Sequence, residues 1–517
     1  MSETYYKGLP SQPPLIATTK PGPFEEPTGP EAYSILKELR CLGNHPLAAI
    51  WDNGLARKLG ASLTSMGVNW TCLDAVRIPN VGERPGPAIV WIGVEFGALS
   101  FEEGSKVAIK CHALTGSYGI SDYCVEIRES HIVRQAGNRF FSPVHFSDPI
   151  FSAVDPYTAT LGIPISTRNA PWAEGTGGFY LSAGGGDKNI YLVTARHVVC
   201  AWNQNDNREY SRENSSKPRE DVIVLGTRGF NKKLAAIEYE IKGQLSIITD
   251  SKGRMESVQG LDDPKSVTEY KKAENDLEEA ENGVEALRTL FKEIGIHWGG
   301  KENRVFGELI WAPPITYSTE PGQYTLDLAI IKIDTAILDA GNYLGNMINI
   351  GKKYSRQEFM DRVYLHHAST TAFKFPPSRL VKLIGEVPES DLVKPPMLDA
   401  NSDPCLVVFK NGAMTGTTIG KANNVSSYTR SNFSGQYMES REWPVIATDK
   451  YSSPFSRAGD SGSCVADAYS RVGGIITGGS GATDSTDVTY VTPISFIMKT
   501  LHDTKLFKQA HLTPGLT

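Results

Sequence analysis

Ala458-Gly459-Asp460-Ser461-Gly462-Ser463 sets a serine inside a glycine-rich turn, with apolar Cys464 and Val465 directly after it. Alone, such a stretch reads as a turn. Two further segments change its meaning. Tyr191-Leu-Val-Thr-Ala-Arg-His197-Val-Val ends an apolar run in a histidine. Thr325-Leu-Asp327-Leu-Ala-Ile-Ile-Lys-Ile333 opens an apolar strand with an aspartate. A lone strand-end histidine is ordinarily a satisfied polar residue, and a lone strand aspartate guards an edge. Together they supply a nucleophile, a base and an orienting carboxylate.

The chemistry explains the residue types. A serine hydroxyl is a weak nucleophile at neutral pH and needs a base whose pKa is near 7, the role of His197. The imidazole needs a fixed tautomer and a stabiliser for its protonated form, the role of a buried Asp327. A developing oxyanion needs two backbone donors aimed at one point. Glycine at 459 permits the necessary dihedrals, so the expected donors are the N–H groups of Gly459 and Ser461. The order His, Asp, Ser is that of the chymotrypsin group and not of subtilisin or the α/β-hydrolases.

Around these motifs, from about residue 158 onward, short apolar runs alternate with Gly, Asn, Ser and Pro, a texture that argues for a barrel or sandwich. The segments 174–181, 410–420, 473–479 and 489–493 read as strands and turns of such a fold, and 494–502 as a closing helix. This combination resembles trypsin-like serine proteases with the chymotrypsin fold, over roughly residues 158–505. The resemblance implies a mainly β, double-barrel domain acting on a protein or peptide substrate without a cofactor. It implies substrate-binding roles for Phe455, at the pocket floor six residues before the nucleophile, for Ser456, and for Thr477, Gly478 and Gly479 on the substrate-pairing strand. With no carboxylate between Tyr451 and Ala458, a preference for Arg or Lys is not expected; Arg457 is expected to point outward. Asp460 is similar to the family residue that pairs with a newly cut N-terminus.

The spacings depart from the template. His197 to Asp327 spans 130 residues and Asp327 to Ser461 134, against about 45 and about 93 in the template. The first excess matches an inserted helical pair. Leu234, Ile237, Ile241, Leu245 and Ile248 share one face. After Asp263-Pro264, the residues Tyr270, Leu277, Val284 and Phe291, with Ala273, Ala280, Leu287 and Ile294, form a four-heptad seam. An antiparallel hairpin over 231–296 is expected, with a dimer seam as the rival reading and a partner docking on it as a further expectation. No cysteine follows His197 directly, so the disulfide common in secreted relatives is absent.

Upstream, residues 1–29 read as a disordered Pro-rich leader. A small α/β domain is expected over 30–150 and the protease domain over 151–517. The pattern predicts a helix over 31–41, short helices over 47–63, a buried strand over 88–95, a helix capped by Ser100-Phe-Glu-Glu103, and a strand over 123–128. Residues 1–30 carry no apolar h-region, so no export signal is expected there, and with the added domain the chain resembles fungal intracellular members of the family.

With 52 basic against 58 acidic residues, no charge footprint for nucleic acid or an anionic membrane is present. No apolar run approaches the ~18 residues that span a bilayer. Seven cysteines, odd in number and scattered, fit reduced thiols, and a cytoplasmic location is expected. His366-His367 has no accompanying Cys or carboxylate cluster to complete a metal site. The rival readings are a catalytically silent pseudoprotease that scaffolds other proteins, and an esterase acting on small molecules.

Overall fold

The computed structural model describes residues 5–9, 12–22, 36–84, 86–95, 97–130, 139–200, 207–212, 218–367, 373–433 and 436–516. The chain forms two compact units. Residues Met1–Ala136 with Lys292–Gly300 make the first, and Gly137–Phe291 with Lys301–Thr517 the second.

The first unit is built on a five-stranded sheet in the order Leu15–Thr18, Tyr123–Glu129, Ala88–Val94, Trp70–Arg77, Arg40–Cys41. The fully buried strand Ala88–Val94 runs parallel to Tyr123–Glu129, with the helix Phe101–Gly116 as the crossover between them. That helix starts at the expected capping box. The Ser100 side chain accepts from the Glu103 N–H while the Glu103 carboxylate accepts from the Ser100 N–H.

Two expectations fail here. Part of the Pro-rich leader is structured: Leu15–Thr18 is an edge strand, with Ile16 and Ala17 each 1% exposed. Before it, the Tyr5 and Tyr6 hydroxyls donate to the buried Glu126 carboxylate at 2.7 and 2.6 Å. A short apolar run that covers a sheet edge, plus tyrosines that satisfy a buried charge, outweighs the proline content; residues 23–29 lie outside the described residues. Second, the helix expected over 31–41 is absent where it can be seen. Arg40–Cys41 pairs with Arg77 and Val76 instead, so tertiary pairing overrides local spacing; residues 31–35 are not described. The predicted short helices over 47–63 occur as Pro46–Ile50, Trp51–Leu55 and Ala56–Ser65, with a kink at Gly54 (φ +130°).

The second unit contains the double barrel. Its first sheet runs Gly175–Thr176, Pro164–Thr167, Asp221–Val224, Val305–Ala312, Ala329–Ile333, Tyr191–Thr194, Phe179–Leu181. The second sheet runs Met397–Leu398, Pro404–Gly412, Gly416–Asn423, Gln436–Ala447, Val488–Pro493, Val472–Ser480, Cys464–Asp467. A further pairing of Pro404–Gly412 with Cys464–Asp467 closes this sheet into a ring, leaving open only strand ends that run past the ring. Residues 139–157 belong to this unit. The Asn342 amide donates to the Phe140 carbonyl at 3.0 Å, and the Phe140 and Phe306 rings meet edge-on. The expected boundary at 150 therefore falls inside it.

The helical insertion is Thr227–Val258 followed by Pro264–Trp298, longer at both ends than the expected 231–296. It links two strands that pair with each other, with Val222 opposite Gly307. It is thus an elongated hairpin connection and leaves the barrel order unchanged, as surface-loop insertions do. Ala273, Ala280 and Leu287 of the seam are buried. Arg254 at the hairpin tip pairs with Glu269 and Asp276. The second excess in spacing lies between the barrels, where Met347–Asn349 and Leu380–Lys382 form a small sheet flanked by the helices Arg356–Val363 and Glu389–Val393.

Candidate active site

His197 sits in the single helical turn Arg196–Val199, directly after the strand Tyr191–Thr194. Asp327 lies just before the strand Ala329–Ile333, which pairs with Tyr191–Thr194 in the register Ala329 opposite Thr194. This pairing brings together two residues far apart in sequence. His197 Nδ1 is 2.5 Å from Asp327 Oδ2, and the His197 backbone N–H donates to Asp327 Oδ1 at 3.1 Å. Both carboxylate oxygens are therefore used to hold one residue, and the Nδ1 contact fixes the tautomer that leaves Nε2 free to accept a proton. Asp327 is 5% exposed. Burial opposes the imidazolium, but the Asp327 charge and hydrogen bond outweigh it and raise the His197 pKa above the ordinary histidine value.

The serine turn comes from the other barrel. Gly459 and Gly462 adopt φ values of +96° and +88°, where a side chain would be strained. A Cβ on Gly462 would lie 2.3 Å from Thr194 Oγ1 and 3.2 Å from Ala195 N. Glycine at 462 is what lets the nucleophile turn close onto the strand end that carries His197. The Gly462 N–H donates to the Ile476 carbonyl at 2.7 Å, and the Ile476 N–H returns to Ser463 O at 3.0 Å. Ser461 is partly exposed. No hydrogen bond joins its hydroxyl to His197 Nε2. The Gly459 and Ser461 N–H groups donate to no group among the described residues, leaving two backbone donors on either side of Asp460.

Three side chains that sequence reasoning missed hold this assembly. The Thr176 hydroxyl donates to Gly459 O at 2.9 Å and accepts from the Ala413 N–H at 3.2 Å, while its N–H donates to Ser461 O at 2.9 Å. Arg196 is 2% exposed, and its guanidinium donates to the carbonyls of Ala312, Pro313 and Arg208 at 2.6, 2.9 and 2.7 Å. Buried Glu442 accepts from Ser440 Oγ at 2.6 Å and from Thr325 Oγ1. Burial, with Asp327 nearby, raises its pKa. Thr176 and Arg196 stand inside quoted motifs, but nothing local marks them, since their partners lie far along the chain.

The expected substrate residues divide into two groups. The pairing of Val472–Ser480 with Cys464–Asp467 ends at Ile475, so Thr477, Gly478 and Gly479 present an edge that no described strand covers. A Cβ on Gly478 would meet open space. Phe455, by contrast, is 1% exposed and packs against Gly420. Ser456 is 2% exposed, and its hydroxyl joins a triangle with Thr489 Oγ1 (2.7 Å) and Thr486 Oγ1 (3.0 Å). The Thr486 and Thr489 hydroxyls are 3.0 Å apart. Among the described residues no cluster of His, Cys, Asp and Glu is arranged to hold a metal ion.

Residues 252–506 match the model of peptidase family S64. The matched range contains Asp327 and Ser461 and begins downstream of His197. No curated protein sequence matches the chain. Among solved structures, the chain is similar to a glutamic-acid-specific serine protease at 13% identity, covering 66% of this chain and 97% of that one, with a TM-score of 0.27. It is similar to a chymotrypsin of Cellulomonas bogoriensis at 16% identity, covering 40% and 76%, TM-score 0.22. The Rv3671c protease of M. tuberculosis aligns at 12% identity over 72% and 92%, TM-score 0.24. The fold rests on the two sheets described above, and the match over residues 252–506, just under half of the chain, is to a peptidase family.

Proposed function

We propose that the chain is a serine endopeptidase working through Ser461, His197 and Asp327. Ser461 Oγ attacks the scissile carbonyl as His197 Nε2 takes its proton. Asp327 holds Nδ1–H and stabilises the imidazolium, and the Gly459 and Ser461 N–H groups receive the oxyanion. His197 then protonates the leaving amine, and water hydrolyses the acyl-enzyme by the reverse route. The observation that carries this reading is the doubly anchored His197–Asp327 pair beside a turn whose two N–H donors have no partner among the described residues. An extended peptide adds to the open edge Thr477, Gly478 and Gly479 by strand pairing, which favours peptides over small esters.

The protease domain of this reading is the double barrel, preceded by the small α/β unit, with the helical hairpin as a docking surface for a protein partner. No described helix is long and apolar enough to cross a membrane. A fluorophosphonate probe tests the mechanism. Wild-type protein labels at Ser461, while Ser461→Ala and His197→Ala do not label and lose turnover by ~10⁶-fold. Full peptidase activity in Ser461→Ala overturns it.

A further inference from the structure

Asp460 lies between the two oxyanion donors and is wholly buried. Its Oδ1 accepts from the N–H groups of Met414 (2.9 Å) and Thr415 (3.2 Å). Its Oδ2 accepts from Thr415 Oγ1 (2.7 Å) and the Arg457 N–H (3.0 Å). One cation reaches it from inside the protein. Lys410 Nζ is 3.5 Å from Oδ2, with both side chains 0% exposed. The other donors of that ammonium go to Gly416 O at 3.0 Å and to Thr415 Oγ1, which hands on a hydrogen bond to the same carboxylate. Lys410 is on the strand Pro404–Gly412 and the carboxylate is on the nucleophile turn, so the pair ties the wall of the second barrel to the oxyanion site.

A buried carboxylate without a counter-charge is costly, and the chain relieves that cost by moving the carboxylate toward water. Moving Asp460 moves its neighbours. A Cβ on Gly459 would lie 2.5 Å from Met414 Cγ, so the turn and the 411–416 loop are closely fitted, and Met414 is held through Asp460. We infer that Lys410 is a positioning residue for the Ser461 reaction: its buried charge locks Asp460, and with it the Gly459 N–H, into the oxyanion-binding geometry of the uncut chain. A strand residue thereby supplies the cation that would otherwise have to come from a newly cut N-terminus. The inference rests on the proposed Ser461 mechanism.

It predicts an alkaline limit. Burial, with a smaller contribution from Lys353, pulls the Lys410 pKa down to about 8 in spite of Asp460. Besides Asp460, the charged group that bears on Lys410 is Lys353, and Lys353 in turn feels Asp460, Arg362 and Arg457. Above that pH the ammonium is lost, and the turn loses its lock.

The test uses the full-length chain, with peptide hydrolysis followed against pH and intact mass recorded alongside fluorophosphonate labelling. The uncut wild type labels at Ser461, and its kcat has an alkaline limb near pH 8. Lys410→Met lowers kcat by ~10²–10³-fold with KM little changed, the size expected for a lost oxyanion donor. Lys410→Arg stays within about 10-fold of wild type and moves the alkaline limb upward, since arginine keeps its charge. Lys410→Met combined with Asp460→Asn is more active than Lys410→Met alone, because no lone charge remains buried. Wild-type kcat in Lys410→Met, a loss confined to KM, labelling only after chain cleavage, or an alkaline limb unmoved in Lys410→Arg overturns the inference. If Lys410→Met and Lys410→Arg fail to fold, absence of the wild-type limb near pH 8 overturns it. Labelling of wild type at a residue other than Ser461 refutes the mechanism itself and is read separately.

Discussion

Replacing Thr176 with valine keeps the side-chain shape and removes one hydroxyl. In the structure that hydroxyl donates to Gly459 O and accepts from the Ala413 N–H, so the substitution leaves two backbone groups without partners. The Thr176 N–H to Ser461 O bond and the Thr194 hydroxyl to Thr176 O bond use the main chain and persist. A fully buried orphan costs about 1–3 kcal/mol. Gly459 and Ala413 are only partly buried, so water recovers some of this, and the expected total is about 2–3 kcal/mol. The cost falls on the oxyanion turn and the loop it touches. If it is met by local opening, kcat/KM drops by roughly 30–150-fold, since each 1.4 kcal/mol is tenfold. Hydrogen exchange distinguishes this from global unfolding: the amides of Ala413 and of residues 459–461 lose protection while the barrel strands keep theirs. Thr194→Val, which removes one bond to Thr176 O, gives a smaller change in the same places. Unchanged exchange at Ala413 together with kcat/KM within twofold of wild type would refute the assignment of Thr176 as the link between the serine turn and the first barrel.

Asp327→Asn cannot accept from both the His197 N–H and Nδ1–H, so kcat falls by ~10⁴-fold; a loss under tenfold contradicts the orienting role. In wild type the base must be neutral and its pKa is raised, so kcat/KM falls as pH drops through a value above the ordinary 6.5; a limb at or below 6.5 counts against the Asp327 contact. Gln244 and Gly283 face each other across the helical hairpin, a Cβ on Gly283 lying 3.3 Å from Gln244 Cδ. Excising 245–282 and joining the stumps with a short Gly/Ser linker should therefore leave small-peptide hydrolysis unchanged; loss of the folded barrel by circular dichroism would show that the distal hairpin supports it. A peptide-library profile should show no dominant cleavage after Arg or Lys, because residues 451–458 hold no carboxylate and Ser456 is surrounded by threonine hydroxyls. A dominant basic preference would mean that a carboxylate enters from elsewhere, such as the exposed Asp484 or Asp487.

The residue types of the proposed triad were legible because each motif is a local solution to a local demand. Glycines on both sides of Ser461 announce a turn with positive φ, and apolar β-branched runs announce the strands that end at His197 and begin after Asp327. Heptad spacing likewise exposed the helical hairpin, since a seam is a property of consecutive turns. Where expectation and structure part, a long-range partner decided the outcome. Leu15–Thr18 becomes a strand because Tyr123–Glu129 offers it an edge, although the prolines around it argued for disorder. Arg40–Cys41 leaves a helical pattern to pair with Trp70–Arg77. Thr176 reaches Gly459 across 283 residues and Ala413 across 237, and Lys410 meets Asp460 only after the second sheet closes into a ring. Periodicity and turn chemistry report what a segment can bury or bend by itself. Which buried charge finds its counter-charge depends on one barrel closing on itself, and which hydroxyl finds two backbone groups to join depends on two barrels folding against each other.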